Sequence, residues 1–278
     1  MLALVSSFFW AGLDLARKKL ARDLSPLAIV AWLTTLQALI FAPLLYWAEA
    51  PKPSYWLPAT AVLAANLVAN WLFVKALALG HFSRTVPLLS LTPAFAAFFG
   101  FLLLGEKMSP LQGFGIALVS AGAFVLGRDG KRGRADKVEF RAFLLMLGVA
   151  FLWGLNAPFD KQAVNASGLI FHVFFQGFGL SLAFLGILFA TKRIHEIAKG
   201  RLFLGFLLLA TFAGIGALGF QLAAYQRMDV ALVETIKRVT GLILALSLGK
   251  LLFAEELTRW KVAAALLMAA GLPLVLFN

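Results

Sequence analysis

The sequence predicts an all-α membrane protein with ten transmembrane helices arranged as two inverted five-helix repeats. Three observations carry that reading. Of the 278 residues, 62% are hydrophobic and 14% charged, with a mean hydropathy of +0.90; a soluble domain carries roughly 25% charge. Apolar runs of roughly 18 or more residues recur along the chain, each long enough to cross about 30 Å of hydrocarbon as a helix. The alternating ten-residue segments of a β-barrel are absent. Third, a hairpin occurs twice, over 82–127 and 231–276, and the copies align at one constant offset without a gap. Ala96 then falls on Ala245, Gly100 on Gly249, Glu106 on Glu255, Leu118 on Leu267 and Gly122 on Gly271. Self-similarity on this scale means two related halves.

In chain order, spans are expected at about 2–16, 26–48, 57–79, 82–104, 110–127, 142–163, 168–190, 202–224, 231–253 and 258–277. The first is short and has no basic segment before it, so it does not read as a signal peptide. It also shares a pattern with the sixth, Trp10 with Lys18 against Trp153 with Lys161. The polar, glycine-containing and mostly basic stretch 128–141 reads as a solvated linker. The expected organisation is therefore a first five-helix repeat over 1–127, the linker 128–141, and a second repeat over 142–278.

Five spans per half is an odd number, so the second half enters the membrane inverted. The basic residues follow that inversion: 19 Lys and Arg fall on the face reached after the first span, against 4 on the other. The rich and poor loops exchange places between the halves, as expected for units fixed in opposite orientations. This count makes the rich face cytoplasmic and puts both termini outside.

The net charge of +12 does not indicate a nucleic-acid partner, because the basic residues sit between spans, where anionic headgroups account for them. There is no cysteine, hence no disulfide and no thiolate metal site. The three histidines lie far apart without metal-ligand spacing, and no glycine-rich phosphate loop precedes a helix. No cofactor, metal or catalytic residue is expected.

Polar side chains deep in a span usually face the bundle interior or water. Asn66 and Asn70 share a face near the middle of span three, and the hairpin offset puts Ile215 and Gly219 in the other copy. Gln37 and Gln176 lie in spans two and seven, Asn156 and Asp160 in span six, and Gln221, Tyr225 and Gln226 close span eight. Each is open to two readings, a wet cavity or hydrogen-bonded packing between helices. Span nine carries Glu234, Lys237 and Arg238; one carboxylate can pair with either cation but cannot neutralise both. The second cation then either meets a substrate or snorkels to the surface. No acid sits at a span midpoint, which argues against strong proton coupling. The small-residue series Gly113, Ala117, Ala121 and Ala265, Ala269 permits close helix contact, within a monomer or between copies; the oligomeric state is left open.

Together, the two five-span halves, the paired Trp-to-Lys spacing, the acidic turns Gly105-Glu106-Lys107 and Ala254-Glu255-Glu256, and the run from Gly115 to Gly122 resemble the drug/metabolite transporter superfamily, specifically its EamA-like family. The resemblance implies a ten-helix carrier of the cell membrane working by alternating access. It also implies a central cavity lined by spans one, three, four, six, eight and nine. Members move small metabolites such as amino acids, often outwards. On that map Trp10, Asn66, Asn70, Asn156, Gln221, Tyr225, Lys237 and Arg238 are the substrate-contacting positions. Two departures stand out. The asparagine expected after the tryptophan is present as Asn156 but is Leu13 in the first half. Related carriers also keep both termini in the cytoplasm, opposite to the charge count.

The function expected is secondary transport of a small polar metabolite, amino-acid-like or an organic anion, by export or exchange. The alternatives are a non-transporting membrane scaffold and an intramembrane enzyme. A scaffold needs no polar interior, and an enzyme needs convergent acid, base or metal groups.

Overall fold

The computed structural model describes residues 1–79, 86–127, 137–253 and 258–276, and among them the protein is all-helical. The helices are α1 (Leu2–Leu20), α2 (Pro26–Phe41), α3 (Trp56–Leu79), α4 (Thr92–Leu104) and α5 (Pro110–Gly127). The run Lys137–Ala190 is broken at Gly168, whose φ of 71° and ψ of 169° lie outside the helix, into α6 (137–167) and α7 (169–190). α8 (His195–Gly200), α9 (Leu204–Tyr225), α10 (Val230–Phe253) and α11 (Arg259–Leu276) complete the chain.

The helix ends follow from local chemistry. Ser25 caps α2 through its hydroxyl on the Ala28 amide, with Pro26 in the first turn. Ser109 and Gln112 form a reciprocal capping box at the start of α5, with bonds of 3.2 and 3.0 Å. Gly105, at φ 68°, closes α4 in the left-handed conformation.

Several boundaries differ from the sequence expectation; α1 runs to Leu20 and α6 to 167, each about a turn beyond the expected span. The second span stops being α-helical at Phe41, because Pro43 lacks an N–H and crowds the preceding turn; Pro43–Trp47 continues as a 3₁₀ turn. Within the fourth span, Val86–Leu91 is 3₁₀ and the α-helix begins only at Thr92, just before Pro93. The last residues assigned to the linker, 137–141, already belong to α6, while 128–136 lie outside the described residues. The short helix α8 was not foreseen.

Four helical stretches among the described residues are long and apolar enough to cross a membrane: Pro53–Phe73, Phe140–Ala190, His195–Tyr225 and Arg259–Leu276. Phe98, Phe101, Leu102, Leu209, Phe212 and Leu266 are each more than half exposed. In water such surface would associate; against lipid it is the expected exterior.

The chain divides into two compact units, Met1–Leu67 with Phe159–Gln226, and Val68–Pro158 with Arg227–Asn278. In the first unit α1 and α9 pack antiparallel. Lys19 lies 5.1 Å over the Phe206 ring, Phe9 stacks on Phe220, and the Ser6 hydroxyl donates to the Ala217 carbonyl at 2.7 Å. Leu13, Leu20, Leu33 and Leu207 form the core there. Gln37 donates to the Val173 carbonyl at 2.9 Å and Gln176 to the Ala59 carbonyl at 3.0 Å. Both glutamines therefore tie neighbouring helices together. α8 is pinned to α2 by the Trp32 indole N–H on the Ile197 carbonyl and by Ser25 on Glu196, which Arg193 also holds.

In the second unit α5 and α11 pack through glycine. A Cβ on Gly115 would stand 2.7 Å from the Gly271 carbonyl, and one on Gly271 2.6 Å from the Gly115 carbonyl. Two turns on, a Cβ on Gly122 would stand 3.0 Å from the Ala264 carbonyl, with Val119 and Met268 between. The partner numbers fall as the α5 numbers rise, so the helices are antiparallel. The hairpin offset carries Gly115 to Ala264 and Gly122 to Gly271, so each contact is the repeat image of the other. The stripe in contact is not the Gly113, Ala117, Ala121 series read from sequence; Ala117 and Ala121 are exposed.

Candidate functional site

Each unit carries a polar cluster among apolar helices. In the first, the Trp10 indole N–H on α1 donates to Gln221 Oε1 at 2.9 Å, and the Gln221 amide donates to the Tyr225 hydroxyl, also at 2.9 Å. Gln221 and Tyr225 are buried and Trp10 is half-buried. Three of the residues singled out in the sequence thus form one chain across two helices. Asp14 and Arg17, 3.6 Å apart, lie at its edge, with Arg17 6.0 Å over the Trp10 ring.

In the second unit α10 supplies Glu234, Lys237 and Arg238. Lys237 Nζ is 2.6 Å from Glu234 Oε1, one of the two pairings the spacing allowed. Arg238 takes a different environment. Its Nη2 donates to Thr92 Oγ1 at 3.1 Å, and its guanidinium lies 5.9 Å over the Trp153 ring. The Thr92 hydroxyl in turn donates to the Leu89 carbonyl at 2.6 Å, which leaves its oxygen facing the arginine. Trp153 is backed by Phe73, with ring centroids 5.8 Å apart.

Asn156 is buried on α6, three residues beyond Trp153. Asn66 and Asn70 are half-buried on α3; Asn66 belongs to the first unit and Asn70 to the second.

Sequence reasoning missed Thr92 and the role of Trp153. It also missed a buried relay in the first unit: His172 lies 3.0 Å from Asp160 Oδ1 through Nε2 and 3.2 Å from the Tyr55 hydroxyl through Nδ1. Asp160 and His172 flank the break at Gly168, and a hairpin there brings residues 12 apart face to face. The relay joins α6, α7 and the turn before α3, packed among Phe171 and Phe175. Among the described residues no three His, Cys, Asp or Glu converge as metal ligands. A cavity lined by Glu106, Gln112, Ile116, Asp229 and Leu232 has a volume of about 20 Å³, room for a single water and no metabolite.

The sequence profile of the EamA-like transporter family matches residues 1–128 and again 140–277, nearly the whole chain in two pieces. The chain belongs to the EamA-like transporter family. This EamA-like protein is therefore a multi-pass membrane transporter of small molecules and not an enzyme.

It is 26% identical to the "Probable amino-acid metabolite efflux pump" of Escherichia coli (strain K12), over 100% of this chain and 94% of that protein. It is 27% identical to the protein of the same name in Salmonella typhimurium, with the same coverage of both chains. A third relative, the "Uncharacterized transporter in cobO 3'region" of a Sinorhizobium species, is 38% identical over 28% of this chain and 55% of its own. A solved structure shares the fold at a TM-score of 0.77 and 18% identity, covering 99% of this chain and 96% of that one.

Proposed function

We propose that this EamA-like transporter is a secondary carrier that exports or exchanges a small polar metabolite of the amino-acid or organic-anion class across the cell membrane. Ten spans would cross as two inverted five-helix repeats, 1–127 and 142–278, joined by the linker 128–141, and would work by alternating access. The antiparallel α5–α11 contact with its repeat-related glycines supports the inversion. The efflux-pump name of the two bacterial relatives supports the direction and class of cargo.

The observation that carries the reading is the cluster on α10. Lys237, bonded to Glu234, and Arg238, bonded to Thr92, place two cationic side chains in a half-buried setting that suits a carboxylate or another anionic group. The chain Trp10, Gln221, Tyr225 and the asparagines Asn66, Asn70 and Asn156 supply neutral hydrogen-bonding contacts in this reading. Orientation is tested separately. The native chain has no cysteine, so single cysteines at Lys161 and Lys199, either side of α7, are clean probes. They should label from opposite faces, with residue 199 cytoplasmic as the charge count requires. Labelling of both from one side would sink the ten-span topology; cytoplasmic labelling of residue 161 would reverse the orientation.

Substrate contact is tested by thermal shift against a panel of acidic, neutral and basic amino acids. A ligand of the folded state raises the apparent melting temperature. Acidic members should do so, and Arg238→Gln should remove the shift.

A further inference from the structure

The turn between α4 and α5 does something that its local sequence does not require. Gly105 reverses the chain at φ 68°, and the Glu106 amide then donates to the Gly100 carbonyl at 3.2 Å. This folds the Glu106 side chain back over α4 towards a helix 124 positions further along the chain. There its Oε2 accepts the Val230 N–H at 3.0 Å. Val230 is the first residue of α10, and its amide is one of the donors that a helix start leaves without an intrahelical acceptor. A carboxylate in that position also meets the positive end of the helix dipole.

The seat is cut to size. A Cβ on Gly100 would stand 2.7 Å from Glu106 Oε2 and 3.0 Å from Val230 Cγ2, so a side chain there would push the carboxylate away from the helix start. From Val230, residues four, seven and eight further on are Glu234, Lys237 and Arg238, on one side of the helix by the 3.6-residue period. The capped end and the cationic cluster are therefore one to two turns apart on the same rigid element. The other end of the same α4–α10 contact is the Arg238 bond to Thr92. α4 thus grips α10 at two points, Glu106 on its first amide and Thr92 on its arginine.

We propose that Glu106 is a positioning residue: by capping α10 from the α4–α5 turn it fixes the placement of Lys237 and Arg238, so that the hairpin and the cationic helix act as one body. The functional consequence rests on the reading of α10 as the anion-recognition helix, but the latch itself can be tested without any substrate.

The test is amide hydrogen exchange on the reconstituted full chain, comparing peptides covering 228–242 with peptides from α1 and α9. Glu106→Ala should speed exchange in 228–242 about fivefold or more, the size expected for a lost helix cap, and leave α1 and α9 at wild-type rates. Glu106→Gln keeps an oxygen acceptor and should restore protection to within about twofold, since the charge contributes the smaller part. Gly100→Ala, which pushes the carboxylate off its seat with Glu106 intact, should reproduce Glu106→Ala and covers the case in which that variant does not fold. Wild-type exchange over 228–242 in Glu106→Ala or Gly100→Ala, equal loosening of α1 and α9, or no rescue by Glu106→Gln would each overturn the proposal. L-Glutamate counterflow in the same vesicles separates the functional reading. A KM raised severalfold in Glu106→Ala but not in Glu106→Gln links the latch to recognition; an unchanged KM alongside faster exchange defeats that link and leaves the cap.

Discussion

Trp10 and Trp153 occupy corresponding places in the two halves of the sequence and face different chemistry. Trp10, on α1, donates its indole N–H to Gln221 of α9, and the bond continues to Tyr225. Its nearby cation, Arg17, is paired with Asp14. Trp153, on α6, is used through its face: Arg238 lies over the ring and Phe73 backs it. The hairpin offset shows where the difference arises, because Lys237 and Arg238 fall on Leu88 and Leu89 in the first copy. Both leucines are buried in an apolar cluster with Met146 and Val149. The indole N–H of Trp10 thus enters a chain of neutral donors and acceptors, whereas Trp153 meets a cation through its face.

The largest effect should come from the buried ion pair. Glu234→Gln keeps the shape but leaves the Lys237 ammonium against a neutral amide, and removing one partner of a buried pair costs about 3 kcal/mol or more. Thermal unfolding in detergent should show a drop of many degrees; a shift of a degree or two would mean that Lys237 already reaches water. Trp10→Phe comes next. It removes the N–H that satisfies Gln221 Oε1 in a buried setting, at a cost of about 2 kcal/mol. Thr92→Val should cost about 1 kcal/mol and weaken binding of an acidic amino acid more than of its neutral amide analogue in the same titration. Trp153→Phe should be the mildest, about 0.5 kcal/mol, since an aromatic face remains for Arg238. Equal melting temperatures for Trp10→Phe and Trp153→Phe would erase the distinction between an edge-bonded and a face-bonded tryptophan.

Much of this was legible in the chain. Apolar run lengths located the helices because span length is set by the bilayer, and the acidic turn flagged Glu106 through its repetition at Glu255, which lies outside the described residues. That Lys237 bonds Glu234 while Arg238 reaches Thr92 and Trp153 was not legible, because both spacings from Glu234 permit contact and the partners on α4 and α6 lie far away in sequence. His172 was passed over for a similar reason. Its partners Asp160 and Tyr55 come from different elements, and no spacing rule links them. Gln37 and Gln176, open in the sequence to a cavity or a packing role, bond backbone carbonyls of neighbouring helices. Thr92 gave no signal at all, since a buried threonine commonly satisfies itself on its own helix.

The account rests on α10 recognising an anionic group, and counterflow in proteoliposomes tests that most directly. With radiolabelled L-glutamate and L-glutamine as probes, the wild-type protein should move glutamate at the lower KM. Arg238→Gln should raise the glutamate KM by about tenfold, the worth of one charge-assisted hydrogen bond, and leave glutamine within about twofold. Equal losses for both probes, an unchanged glutamate KM, or flux of neither in the wild-type protein would contradict it.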